Sequence, residues 1–313
     1  CNSAHAAYWK AADYLGIEII AVDYELDINN FGQLTTKQIA SVVQNNTIAV
    51  IASAPNFHFG IVDDIPSIAD YCYDNYLYLH VDMCLGGYLL PFLDNYQHCS
   101  FLTQGITSIS VDTHKYGCGP KGGSVILYRN KELFQAQMFV KENWTGGIYG
   151  TSNMTGSRSG NTISLTWATL RYIGRKQYAK QARTIQNCVI QCKKGIDTIP
   201  GLMYCGEPDV CIVAISSKLF DIYLLSDKLS NKGWNLNVLQ NPPSFHICFT
   251  NCHNSESVSL FIDDCRKQVA LIRQEMFKNP GKTLKSASLY GIIPIQCGRI
   301  SGKNSSDIKL CVD

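Results

Sequence analysis

Ser108-Ile-Ser-Val-Asp-Thr-His114-Lys115-Tyr-Gly-Cys-Gly-Pro-Lys121-Gly-Gly-Ser124 is an apolar strand that runs into a glycine-rich turn, with a His-Lys pair at the junction. A strand end holds a lysine at a fixed place inside a crevice, where desolvation or neighbouring cations free its amine to attack a carbonyl. Lys115 meets that description, with His114 and Lys121 close to it in sequence. One crossover unit upstream, Leu77-Tyr-Leu-His80-Val-Asp82-Met-Cys84-Leu-Gly86-Gly87 reads as a second buried strand, ending in an acid and a glycine pair. Taken singly, each has an ordinary reading. A lysine in a glycine-rich loop is usually solvated surface, and an aspartate after a strand can simply cap the next helix.

Together they suit a pyridine-ring carbonyl cofactor, pyridoxal phosphate, because an Asp at a neighbouring strand end keeps the ring nitrogen protonated and the ring an effective electron sink. The pattern around them is α/β. Ile17 to Val22 is strand-like, Leu34 to Gln44 fits an amphipathic helix, Thr47 to Ala52 is a β-branched strand, and Ile65 to Tyr73 suits a helix opened by Pro66. Strands beginning near Leu77, Ile106 and Ser124 follow. Such alternation predicts a mostly parallel sheet with helices on both faces, and a ligand outside the carboxyl ends of its strands.

From Ser164 to Lys194 the sequence predicts one long helix, leading to a smaller α+β region. There Val210 to Ile215 and His246 to Thr250 read as strands, and Ile222 to Asn231 and Val258 to Phe277 as helices. The expected division is therefore a large cofactor domain over 1–163, a connecting helix over 164–196 and a small C-terminal domain over 197–313. Ala6 to Leu15 is a further amphipathic helix, which His5 opens as a capping or packing residue when read alone.

A net charge of +2 at pH 7 leaves no basic footprint for nucleic acid. The fourteen cysteines are scattered, with no C-x-x-C, and read as reduced thiols. Cys248-x-x-x-Cys252-His253 lacks an evident fourth ligand for zinc. No apolar run approaches the ~20 residues of a membrane-spanning helix. Gly117-Cys-Gly119-Pro-Lys-Gly122 satisfies G-x-G-x-x-G, but the strand-like Ser124 to Tyr128 follows where a dinucleotide site needs a helix.

Several blocks in order carry a resemblance. They are Ala4-His5-Ala6-Ala7, His80-Val-Asp82-x-Cys84-Leu-Gly-Gly87, Asp112-Thr-His-Lys115-Tyr-Gly, Pro120-Lys121-Gly122, Trp144-x-Gly-Gly-Ile-Tyr149, Gly156-Ser-Arg158 and Lys232-Gly-Trp234-Asn-Leu-Asn237. The chain resembles the pyridoxal-phosphate-dependent group II decarboxylase-like family across almost all its length, and in particular members that cleave phosphorylated sphingoid bases. The resemblance implies the fold-type I transferase-like architecture, with a large cofactor domain and a small C-terminal one. It implies that Lys115 bonds the cofactor, Asp82 pairs with its ring nitrogen, His5 stacks on the ring and His114 lies near its phosphate. Tyr149 and Lys121 would assist proton transfer or hold the substrate phosphate.

The activity so implied is carbon-carbon cleavage of sphingosine 1-phosphate-type bases to a fatty aldehyde and phosphoethanolamine. A homodimer with active sites at its interface follows from the same resemblance, as does an endoplasmic reticulum membrane location for a longer eukaryotic parent of which this chain is a fragment. An amino-acid decarboxylase of the same family, or a non-catalytic remnant, are the alternatives. The remnant reading draws on three departures from the family pattern: Phe59 before Gly60, Cys118-Gly119, and Ser159-Gly-Asn161 after Arg158.

Overall fold

The computed structural model describes residues 1–24, 31–208 and 210–278. In chain order the elements are α1 (Ala7–Leu15), α2 (Thr36–Ala40), β1 (Ala49–Ser53), α3 (Ile65–Asp74), β2 (Tyr78–Asp82), β3 (Ser108–Val111), β4 (Val125–Tyr128), α4 (Lys131–Ala136), β5 (Phe139–Trp144), β6 (Gly147–Thr151) and α5 (Gly160–Asp197). Then come β7 (Met203–Tyr204), β8 (Ile212–Ser216), α6 (Ile222–Ser230), β9 (Asn237–Leu239), β10 (Ser244–Cys248) and α7 (Ser255–Lys278).

The first sheet has the order β1-β2-β3-β4. Strands β1, β2 and β3 are parallel, and β4 returns antiparallel to close the edge. Alternation places Leu79 and Val81 of β2 in the core, while Tyr78, His80 and Asp82 take the other face. Helix α3 starts at Pro66 in its first turn, where a missing N–H costs nothing, and buries Ile65, Ile68, Ala69 and Cys72 at helical spacing.

The second sheet, β7-β8-β10-β9, is antiparallel throughout. Helices α5 and α6 pack on it, and α7 packs against both, burying Val258, Phe261, Ile262, Cys265, Val269 and Ile272, a stripe that repeats every three or four residues. The second limb of α5 packs on α7, and a Cβ on Gly195 would lie 2.5 Å from Ile262 Cγ1. Helix α5 breaks at Gly174, whose φ of 70° is open to glycine, and its buried residues all follow that break. One core cluster runs from Leu79 and Val81 through Ile212 and Phe245 to Phe261.

Three expectations change. Ile17 to Val22 is extended but pairs in no sheet among the described residues, and Ile17 and Ile20 are each 44% exposed. Its β-branched residues favour a strand, but a strand exists only with a partner. A cavity of about 380 Å³ instead lies among α1, this segment and β1. The Leu34 to Gln44 helix shrinks to α2, opened by a Thr35–Gln38 capping box. It stops before Val42-Val43, whose branched side chains crowd a helix, and a turn in which the Thr47 hydroxyl accepts the Gln44 N–H follows. The long helix starts four residues early, at Gly160, because Ser159 supplies an N-cap side chain to the Asn161 N–H.

Candidate active site

Parallel pairing aligns Ser53, Asp82 and Ser110 side by side at the carboxyl ends of β1, β2 and β3. On the Asp82 face, the His80 ring sits between two hydroxyls, Ser108 Oγ at 2.8 Å and Ser110 Oγ at 3.2 Å. Burial makes His80 less basic than usual, against the pull of Asp82. Asp82 Oδ1 accepts the Cys84 N–H at 3.0 Å and, weakly, the Ser110 hydroxyl at 3.4 Å. The Tyr8 phenol of α1 lies beside the same carboxylate, and burial first, then the Asp82 charge, raises its pKa. Burial and then Asp82 push the Cys84 thiol up to about 12, so it stays protonated.

The turn after β3 presents Lys115. Its backbone closes through Lys115 N–H to Asp112 O at 3.3 Å and Gly119 N–H to Thr113 O at 2.8 Å. Lys115 Nζ lies 3.1 Å from Asp112 Oδ2, with about a third of the lysine side chain exposed. Partial burial pushes Asp112 upward, but the Ser124 hydroxyl, the Lys115 ammonium and His114 outweigh it and hold the carboxyl below its ordinary range. His114 donates from Nδ1 to Gly123 O, with Nε2 3.8 Å from Asp112. Cys84 feels the charges of both Asp82 and Asp112, so the acid of β2 and the lysine turn after β3 share one neighbourhood. Tyr116, next to Lys115, donates to Phe249 O at 2.7 Å and ties the turn to the second sheet.

The glycine pair after Asp82 is a matter of space. A Cβ on Gly86 would stand 2.1 Å from Ala54 O, and one on Gly87 2.4 Å from Val111 Cγ1. Neither position admits a side chain.

The other expected residues are placed differently. His5 accepts the Ala7 N–H on Nδ1 at 3.1 Å, as a helix-opening histidine would, and its ring is exposed. It adds to the burial that depresses His58, whose Nδ1 donates to Ser3 O at 3.2 Å. Lys121 is exposed on the turn. Tyr149 stands on the β5–β6 hairpin between Trp144 and Phe139, at ring centroids of 6.1 and 6.4 Å. Among the described residues, no hydrogen bond or ion pair joins Lys121 or Tyr149 to Lys115 or Asp82. The three departures each have a local use. Phe59 is buried against Tyr24 and Phe31, Cys118 takes the left-handed conformation with its sulfur accepting from Asn251, and Ser159 caps α5.

Sequence reading missed Tyr8 and the acid that holds Lys115. The i, i+3 spacing of Asp112 and Lys115 was a usable signal; a tyrosine on an exposed-looking helix was not. No group of three or more possible metal-ligating side chains occurs among the described residues.

Whether pyridoxal phosphate suits these residues can be judged from the donors. An ionised carboxylate offers about four lone-pair sites. Those of Asp82 receive Cys84 N–H and the Ser110 hydroxyl, and among the described residues the acid has no cation, so a ring N–H⁺ fits it. Lys115 supplies a partly exposed amine on the next strand end.

Residues 1–218 match the family profile of the pyridoxal-dependent decarboxylase conserved domain. The chain belongs to the pyridoxal-dependent decarboxylase family. Within it, the chain is 36% identical over 298 residues to rat sphingosine-1-phosphate lyase 1 and 38% identical over 296 residues to the Saccharomyces cerevisiae sphingosine-1-phosphate lyase. Each alignment covers 93% of the chain, which spans about half the length of these relatives (51% and 49%). The solved Burkholderia pseudomallei sphingosine-1-phosphate lyase superposes with a TM-score of 0.81 at 33% identity, over 89% of this chain and 66% of that one. Lactobacillus brevis glutamate decarboxylase gives 0.75 at 19% identity, over 87% and 65%, a likeness of fold. The architecture is that of the fold-type I pyridoxal-phosphate enzymes, and the family's cofactor is pyridoxal phosphate.

Proposed function

We propose that the chain belongs to a pyridoxal-phosphate-dependent carbon-carbon lyase that cleaves phosphorylated long-chain bases to a fatty aldehyde and phosphoethanolamine. The observation that carries the chemistry is an Asp82 carboxylate with no cation among the described residues, beside the Lys115 turn on adjacent parallel strand ends. The substrate class comes from the relatives, which are sphingosine-1-phosphate lyases over nearly the whole of this chain.

When bound, the cofactor supplies the sink for the electron pair of the breaking bond. Lys115 would bond it and fix its position, Asp112 would hold Lys115 Nζ in place when it is not so bonded, and Asp82 would hold the positive charge at the ring nitrogen. His5 would stack on the ring, and His114 would lie near its phosphate. Tyr149 Oη moves the proton of the substrate's C3 hydroxyl while Lys121 holds its phosphate. The hydroxyl oxygen becomes the aldehyde carbonyl, and the released amine fragment regains a proton at carbon.

The large domain of this reading is 1–163, the connecting helix 164–196 and the small domain 197–313. A homodimer is part of it, supported by Phe139, Val140, Trp144 and Ile148 on the hairpin and Ile163 and Trp167 on α5, all exposed. No helix among the described residues is long and apolar enough to cross a membrane. An endoplasmic reticulum location is proposed on the same resemblance, for a parent with its own anchor.

Incubation of the complete parent protein with pyridoxal phosphate and a phosphorylated long-chain base should release a fatty aldehyde and no carbon dioxide, whereas these 313 residues alone should show little or no cleavage. Carbon dioxide from an amino acid, without aldehyde, would make the protein a decarboxylase. Cofactor bound without either product would favour the remnant. Borohydride reduction followed by peptide mapping should place the cofactor on Lys115, and label on another lysine would overturn the assignment.

A further inference from the structure

Helix α1 approaches the Asp82 face of the first sheet through one side chain. The half-buried Tyr8 ring stands edge-on to His80, with centroids 6.0 Å apart, and its phenol lies beside Asp82 and Ser110. His80 is in turn fixed by Ser108 and Ser110, so α1 closes a polar ladder built from β2 and β3. Burial first, then the Asp82 charge, raises the phenol far above its ordinary range, so it stays a neutral donor. Three residues earlier, just before α1 begins, lies His5, with Tyr8 N–H donating to His5 O at 3.1 Å.

We propose that Tyr8 is a positioning residue: its phenolic O–H orients the Asp82 carboxylate for the ring nitrogen and pins α1, and so His5, over the crevice. This rests on the cofactor reading above and assigns the phenol a part in it. The Asp82 carboxylate already takes a backbone N–H from Cys84 on one side. A second strong donor from a different element removes its remaining rotation, and a carboxylate held in this way meets a ring N–H⁺ without reorganising. The bond also makes the α1 contact charge-assisted, which a phenylalanine of the same shape cannot reproduce.

The test is a double-mutant cycle on the chain itself, read by hydrogen exchange of the α1 amides without cofactor. Tyr8→Phe keeps the ring packing and should speed exchange about ten- to hundredfold, the range for a hydrogen bond to a charged group. Asp82→Asn should do the same, and Tyr8→Phe with Asp82→Asn should add little to either alone. Ala11→Gly, which weakens α1 without touching Asp82, should instead add fully to Asp82→Asn.

With pyridoxal phosphate added, the pH midpoint of its bound visible absorbance should move in Tyr8→Phe and stay in Ala11→Gly. Wild-type exchange rates in Tyr8→Phe, or effects of Tyr8→Phe and Asp82→Asn that simply add, overturn the proposal. A wild-type chain with a positive exchange cycle but no bound cofactor would sink the cofactor reading and the orienting part of the inference, leaving only a structural bond.

Discussion

In the proposed reaction Asp82 carries more of the chemistry than any other side chain except Lys115, and it does so by charge placement. Asp82→Asn keeps the shape and the Cys84 N–H but removes the negative charge, so turnover should fall by about 100-fold or more while cofactor still binds, as measured by steady-state rates and dialysis. Near-normal turnover would mean that another group holds the ring nitrogen. Tyr149 makes a different demand. Its proposed task belongs to the reacting complex, so Tyr149→Phe should lower kcat and leave KM nearly unchanged; a change in KM alone would make it a binding residue. The pair Asp82 and Lys115 was legible because each ends an apolar run in a glycine-rich turn. Tyr8 was not, since nothing in Ala7-Tyr8-Trp9 records that its phenol reaches a strand end from another element.

At the scale of elements, the strands β1 and β2 and helices α3, α6 and α7 follow the sequence closely because each buries apolar residues at its own period, whereas β4 is a strand with Val125, Ile126 and Leu127 all exposed. The β5–β6 hairpin escaped notice for the opposite reason. All six residues of β5 and four of the five of β6 are exposed, so neither strand shows an inside face. Likewise the break at Gly174 leaves no trace in a helical pattern that tolerates an isolated glycine. The packing of α5 on α7 is checkable at one atom pair. Gly195→Ala should destabilise the fold by about 1–3 kcal/mol in urea denaturation, through Ile262 Cγ1 at 2.5 Å, and should cost less in an Ile262→Ala background, which lacks that atom. Equal losses with and without the Ile262 change would show that the crowding lies elsewhere.

For the whole molecule, acid is the revealing perturbation. His246 is 0% exposed, donates from Nδ1 to His58 O at 2.9 Å and accepts Asn237 Nδ2 at 3.1 Å. Burial holds its pKa at about 4, so between there and the ordinary value of ~6.5 the unfolded chain binds more protons than the folded one. The stability it contributes is therefore complete above ~6.5 and is lost as pH falls through about 4, by about 3 kcal/mol. His58 and His80 are depressed by burial in the same direction. Asp63, raised to about 6 by burial, works against them between ~4 and 6. Urea midpoints should fall from pH 7.5 to pH 5, and His246→Asn should flatten that slope; an unchanged slope would exonerate the histidine. The glycines behind Asp82 act on a longer timescale. Because Ala54 O and Val111 already occupy the space where side chains at Gly86 and Gly87 would go, a saturation scan for viability would mark these two positions as strongly as Lys115. Intolerance there reports a shortage of room, so a heat map of fitness around this crevice outlines its walls together with its reactive groups.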